Sequence, residues 1–163
     1  MADGDGEVLV LTNQDAAGLL TMEECIEVVE VAYRQLGQGV AQSIPRSRHY
    51  LPLDEAGHYY WFNNIPGVVP AFNTMALRVD SARVRLHEVN GQQRMDFPGD
   101  FAGFVILFRI DTREPYAIVH DHALSPVRVA ATSAIVSRRL AGASPTTMGL
   151  FGAGEQARAQ IAA

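Results

Sequence analysis

Thr146-Thr147-Met148-Gly149-Leu150-Phe151-Gly152-Ala153-Gly154-Glu155-Gln156-Ala157 is the stretch that decides how the rest of the 163 residues are read. The apolar run Met148 to Phe151 predicts a short strand, the glycines predict a tight turn, and Glu155 onward predicts a helix. Gly152-x-Gly154-x-x-Ala157 is the pattern of a dinucleotide-binding unit. Its first glycine makes the turn, its second lets a pyrophosphate approach the backbone, and its small third residue lets the helix pack closely. Gly152, Ala153, Gly154, Glu155, Gln156 and Ala157 are therefore the candidate cofactor-binding residues, the free amides at the helix start holding the diphosphate. A loop that needs glycine only to turn would carry the same pattern, and so would another nucleotide site such as that of a methyltransferase. A complete binding half also needs a second strand and an acidic residue about 20 residues past the glycines. Ala163 precedes both, so the chain is expected to be the amino-terminal part of a longer protein, ending inside the first helix of its cofactor domain.

The composition is that of a globular protein, 48% apolar and 19% charged, which leaves no disordered tract to place. A formal net charge of −5 argues against a nucleic-acid or anionic-membrane surface, either of which would need clustered Lys and Arg. No apolar run approaches the length that spans a bilayer. Cys25 is the single cysteine, so no internal disulfide can form and a reducing compartment, the cytoplasm, fits best. The opening Met-Ala-Asp-Gly-Asp-Gly-Glu has no apolar core of a signal peptide.

Working back from the glycine turn, Ser125 and Pro126 predict the N-cap and first turn of a helix through Leu140, with Arg138 and Arg139 in its last turn and Gly142 as its stop. Before it, Phe101 to Ile110 and Pro115 to His120 predict a hairpin. The first of these strands is apolar on both faces except for Arg109, which implies a closed, barrel-like sheet or a subunit interface. Strands are also expected at Val8 to Leu11, Pro45 to Leu51, His58 to Phe62 and Thr74 to Arg85, and Asn90-Gly91 is the strongest turn signal. Thr21 and Glu24 stand at capping-box spacing before a helix whose apolar stripe includes Cys25, Ile26 and Val29. The expected fold class is α+β, a mainly antiparallel, barrel-like sheet with flanking helices followed by the first strand and helix of a Rossmann domain. Its boundaries are residues 1–124, a bridging helix 125–142, and the incomplete nucleotide-binding start 143–163.

Arg46, Arg78 and Arg128 lie on or beside separate structured elements, and guanidinium groups converging from separate elements hold a carboxylate through its two oxygens. Each alone also reads as a surface cation or an ion-pair partner. His120-Asp121-His122 could offer two imidazoles to a metal, but no third ligand at a fixed spacing accompanies them, and capping and hydrogen bonding at a strand end is the better reading. No metal site is assigned. Cys25 falls on a buried helical stripe and reads as packing.

The order of motifs resembles the ornithine cyclodeaminase and mu-crystallin family. The pieces that carry the resemblance are Leu19 to Glu24, Ile44-Pro45-Arg46, Ala76-Leu77-Arg78-Val79, Gly103 to Phe108, Leu124 to Ala134 and Gly149 to Ala157. What the resemblance implies is a homodimer with a substrate and dimerisation domain joined to a Rossmann domain that binds NAD or NADP. It implies an enzyme that reduces or deaminates a small amino acid or cyclic imine by hydride transfer, with no nucleic-acid or membrane partner, or else a non-catalytic binding module of the mu-crystallin type. By position, Arg46 and Arg128 match residues that hold the substrate carboxylate. Arg78 stands where many members carry a lysine; it keeps the charge but has no proton to lend near neutral pH. Val129 replaces a common threonine, so a divergent subgroup is implied. The family's catalytic aspartate would lie beyond Ala163, and the 163-residue chain alone is expected to be inactive.

Overall fold

The structure is a computed structural model that describes residues 7–99, 101–142 and 144–163. Its first elements are strand β1 (Leu9–Leu11) and a one-turn helix α1 (Asn13–Ala16), whose Thr12 and Asp15 form a capping box. Helix α2 (Met22–Gly37) follows with the expected box. Thr21 Oγ1 accepts from the Glu24 amide at 3.2 Å, and the Glu24 carboxylate accepts from the Thr21 amide at 2.8 Å. Thr21→Ala should therefore lower the unfolding free energy by about 1 kcal/mol, read from urea denaturation with an unchanged slope.

The sheet is built on two long strands, β4 (His58–Val69) and β5 (Thr74–Val89), paired antiparallel over the whole length of β4. On the outer side of β4 lie β2 (Gln42–Ser43) and β3 (Ser47–Pro52). On the outer side of β5 lie β6 (Gln92–Asp96) and β7 (Ala102–Arg109), and β8 (Pro115–His120) continues the sheet beyond β7. β1 closes that end by pairing parallel with β8, which makes the sheet mixed. The turn between β5 and β6 falls at Asn90-Gly91 as expected, both residues left-handed with φ 52° and 74°.

The sheet is not a barrel. Its strand path runs from β1 to β2, two end strands of three and two residues that pair with β8 and β4 and not with each other. Closure needs end strands that hydrogen-bond edge to edge, and β1 and β2 do not pair.

The register sorts the sheet's side chains onto two faces. One face carries the buried residues Trp61, Ala82 and Val84 at one end and Ala117 and Val119, packed under Ala16, at the other. The opposite face presents Phe62, Leu77, Val79, Phe104, Ile106 and Ile118, each half-buried and none belonging to a buried cluster.

Helix α3 (Leu124–Leu140) packs on α2 through Cys25, Ile26 and Ala131, with Val127, Ala134 and Ile135 around them. Burial pushes the Cys25 thiol above its ordinary value, as befits a packing residue. Arg138 and Arg139 occupy its last turn, Arg139 reaching Glu30 of α2 at 2.5 Å. The start of α3 differs from expectation. It begins one residue before Ser125, at Leu124, with Ala123 as its uncapped N-cap. The Ser125 amide instead donates to the Asp121 carbonyl at 2.8 Å, so a tight turn out of β8 starts the helix and no side-chain cap is needed. Arg128 consequently lies in the second turn of α3.

Helix α4 (Glu155–Ala162) packs on α3, with Ala157 buried. Met148 to Phe151 is not a strand: no other strand pairs with it among the described residues, and Phe151 is fully exposed. A parallel strand takes its hydrogen bonds from neighbours, and here it has none. Met1 to Gly6 and Ala143, which open the first and third expected segments, lie outside the described residues. No helix among the described residues is long and apolar enough to cross a membrane.

Candidate active site

Adjacent strands place Asn63, Asp80 and Gly103 side by side in one cross-sheet row, Asn63 opposite Asp80 and Asp80 opposite Gly103. Asp121 extends the row from the end of β8, its amide donating to the Gly103 carbonyl at 3.2 Å. Arg78 is two residues before Asp80 on β5 and therefore shares its face. Its guanidinium is spent on carboxylates: Nη2 lies 2.9 Å from Asp80 Oδ1, and Nε donates to Asp121 Oδ2. The other Asp80 oxygen accepts from Asn63 Nδ2 at 2.8 Å. Asp80 and Asp121 are 2% and 3% exposed, so this is a buried ion-pair network.

Arg46 and Arg128 flank it. Arg46, just ahead of β3, lines a cavity of about 370 Å³ with Trp61, Arg78, Asp80, Phe97 and Phe101. Arg128 lines a second cavity of about 320 Å³ between the sheet, α2 and α3, which Arg78 and Asp121 also border. The order of charges is thus Arg46, Asp80, Arg78, Asp121, Arg128, alternating in sign, and Arg78 is the wall common to both cavities. Neither Arg46 nor Arg128 forms an ion pair among the described residues.

The titration of the row follows from that order. Burial pushes the Asp80 carboxyl above its ordinary value, and Asp121 adds to this, while the Asn63 hydrogen bond, Arg78 and Arg46 oppose it. Burial also depresses the Arg128 guanidinium, with Arg78 and Arg46 repelling it and Tyr33 and Asp121 favouring its charge. Arg128 keeps an exposed flank, so water screens part of that effect. The structure therefore brings Arg46, Arg78 and Arg128 together, and assigns Arg78 to internal carboxylates.

Gly103 makes the row possible. A methyl group there would fall inside van der Waals reach of Asp121 Oδ1 and 2.9 Å from Phe101 Cε2. Asp121 Oδ1 is already buried without a hydrogen-bond partner, so it has no relaxed place to go. Gly103→Ala should cost about 2–3 kcal/mol in thermal or chemical denaturation.

His120 and His122 do not converge on a metal. His120 stands edge-on to Phe104 at 4.5 Å, His122 packs on Phe101 at 4.9 Å, and Asp121 between them turns to Arg78. Both rings pack on aromatic side chains, which the alternative of strand-end hydrogen bonding did not anticipate.

At the glycine turn, Gly152 has φ 111°, a conformation that requires glycine. Gly154 is the N-cap of α4, and no side chain caps its amides. A Cβ at Gly152 or Gly154 would meet nothing within 4 Å, and residues 151–156 are exposed. Open amides, a positive φ and empty space over both glycines fit a diphosphate at this turn. Ala157 is small because α4 packs on α3, where a strand contact was expected.

Two cavities that share Arg78 as a wall, one bordered by Arg46 and the other by Arg128, thus lie on an α+β unit that is followed by a glycine turn into a helix. Residues 7–163 match the ornithine cyclodeaminase/mu-crystallin family, and the chain belongs to it. It is 27% identical over 156 residues to the iminosuccinate reductase of Paracoccus denitrificans, a match covering 96% of this chain and 45% of that protein. The structure of that reductase in complex with NAD+ shares the fold with a TM-score of 0.74 at 23% identity, over 95% of this chain and 45% of the other. The Thermococcus litoralis Δ1-pyrroline-2-carboxylate reductase in complex with NADH and L-proline gives 0.72 at 23%, over 94% and 44%. An archaeal alanine dehydrogenase dimer with bound NAD gives 0.74 at 22%, over 94% and 43%. The chain thus spans less than half the length of these relatives.

Asp80, Asp121, Asn63 and the aromatic residues Trp61, Phe97 and Phe101 were not singled out as site residues from sequence. For Asp80 a signal existed: a carboxylate two residues from an arginine on one strand must share its face.

Proposed function

We propose that this chain supplies the substrate site and the opening of the cofactor site of an NAD(P)-dependent oxidoreductase or deaminase acting on a small amino or imino acid. Residues 1–124 serve substrate binding and dimerisation, 125–142 bridge, and 143–163 begin the nucleotide-binding domain. The observation that carries the reading is the placement of Arg46 and Arg128, without ion-pair partners among the described residues, on either side of an Arg78 already neutralised. They are the cations left to hold a substrate carboxylate.

A bound NAD(P) would supply or accept the hydride. The residues of this chain orient the acid through Arg46 and Arg128, and Asp80 and Asp121 hold Arg78 in place. The uncapped amides of Glu155, Gln156 and Ala157 would hold the cofactor's diphosphate. The partner proposed for the half-buried apolar sheet face is a second copy of the chain, in a cytoplasmic homodimer.

The alternative is a non-catalytic binding module of the mu-crystallin type, favoured by Arg78, a side chain that does not give up its proton near neutral pH and is engaged by two carboxylates. Full-length protein supplied with NADH or NADPH, ammonia and a panel of 2-oxo acids should consume the reduced cofactor. Saturable binding of the acids and cofactor without any consumption would establish the module instead.

A further inference from the structure

The cavity beside Arg46 is walled by rings. Trp61, 7% exposed, meets Phe97 edge-on with centroids 5.6 Å apart and planes at 85°. Phe101 packs against the same buried cluster of Trp61, Ala82 and Val84. Arg46, Arg78 and Asp80 form the polar part of the wall. Asp80 is already engaged, one oxygen 2.9 Å from Arg78 and the other accepting from Asn63, so a ligand cation would have to compete with Arg78 for it. Arg78 is spent in the same way. The remaining charge is that of Arg46, so the cavity offers one anion-binding group beside an apolar, aromatic chamber.

We propose that this chamber takes the substrate's side chain and selects an aromatic or similarly large, planar, apolar group, while Arg46 holds the α-carboxylate. The inference rests on the proposed function, whose site it specifies. A ring among rings gains edge-to-face contacts beyond its buried area. A methyl side chain would leave most of about 370 Å³ unfilled and forgo those contacts. A side-chain ammonium would sit next to Arg46 and Arg78 with no unengaged carboxylate, which selects against basic amino acids.

The test is calorimetric titration of the protein with L-phenylalanine, L-alanine and L-ornithine, following in parallel the emission of Trp61, the sole tryptophan of the 163 residues. L-phenylalanine should bind roughly tenfold or more tighter than the other two and change the Trp61 emission saturably. Phe97 is 45% exposed, so Phe97→Ala leaves the fold intact; it should weaken L-phenylalanine roughly tenfold and leave L-alanine unchanged. Arg46→Met should weaken both. Equal or tighter binding of L-alanine or L-ornithine, no saturable response to L-phenylalanine, or an inert Phe97→Ala would each overturn the proposal. Selective binding of L-phenylalanine without NAD(P)H consumption would overturn the function and leave the pocket standing. Consumption restricted to small or basic substrates would do the reverse.

Discussion

Arg78→Ala should lower the unfolding free energy by about 3–5 kcal/mol, the largest stability effect expected of a single side chain here. The cause is what remains: Asp80 and Asp121, 2% and 3% exposed, would face each other across the site without the cation that separates them. The deficit depends on pH with a definite sign. Burial already holds the Asp80 carboxyl above its ordinary value, so the folded protein keeps that proton to higher pH than the unfolded chain does. This contribution is fully present below the unfolded value and is lost as pH rises through the folded one. Without Arg78 the folded value rises further, so the variant should approach wild type in acid and fall behind toward neutrality. Denaturant titrations at acid and neutral pH measure this directly. A deficit below about 1 kcal/mol at neutral pH would show that the carboxylates do not depend on Arg78. Adding Asp80→Asn to Arg78→Ala should recover part of the loss, because one stranded charge is removed.

Arg128→Ala in the full-length protein should reduce kcat/KM by roughly 100-fold, corresponding to the loss of a charge-assisted contact of about 2–3 kcal/mol. Stability should hardly change, since Arg128 has an exposed flank and no ion pair among the described residues. Arg128→Lys should restore the charge but not the two-pronged geometry, and so recover only part of the activity. Steady-state kinetics with a thermal melt on the same preparations separates the two effects. An unchanged kcat/KM would remove Arg128 from the site.

The elements were legible where local chemistry dictates them. The capping box at Thr21 and Glu24, the Asn90-Gly91 turn and the β7–β8 hairpin all form as their residues require. Three features depend on what lies far along the chain, and for these local reading was insufficient. Met148 to Phe151 has strand composition but no strand to pair with among the described residues. Phe101 to Ile110 is apolar on both faces, yet among the described residues the sheet stays open, its end strands β1 and β2 unpaired with each other. The start of α3 is set by a turn out of β8 and not by Ser125. For the candidate site, Arg46, Arg78 and Arg128 stood out in the sequence because each lies on or beside a structured element, and the structure places them around two cavities that share Arg78. That Arg78 binds two aspartates was not. Asp80 and Asp121 are 41 positions apart in sequence and meet only through the registers of β5, β7 and β8.

The row from Arg46 to Arg128 sums, with all five groups ionised, to one unit of positive charge. A folded protein that carries such a surplus prefers an occupied site to an empty one, and any small acid in the solvent can lend the missing charge. Formate, acetate or citrate in a storage buffer would thus act as a weak stabiliser and, in assays, as a competitor. Measured affinities for genuine substrates would drift with the choice of buffer salt unless that anion were held constant.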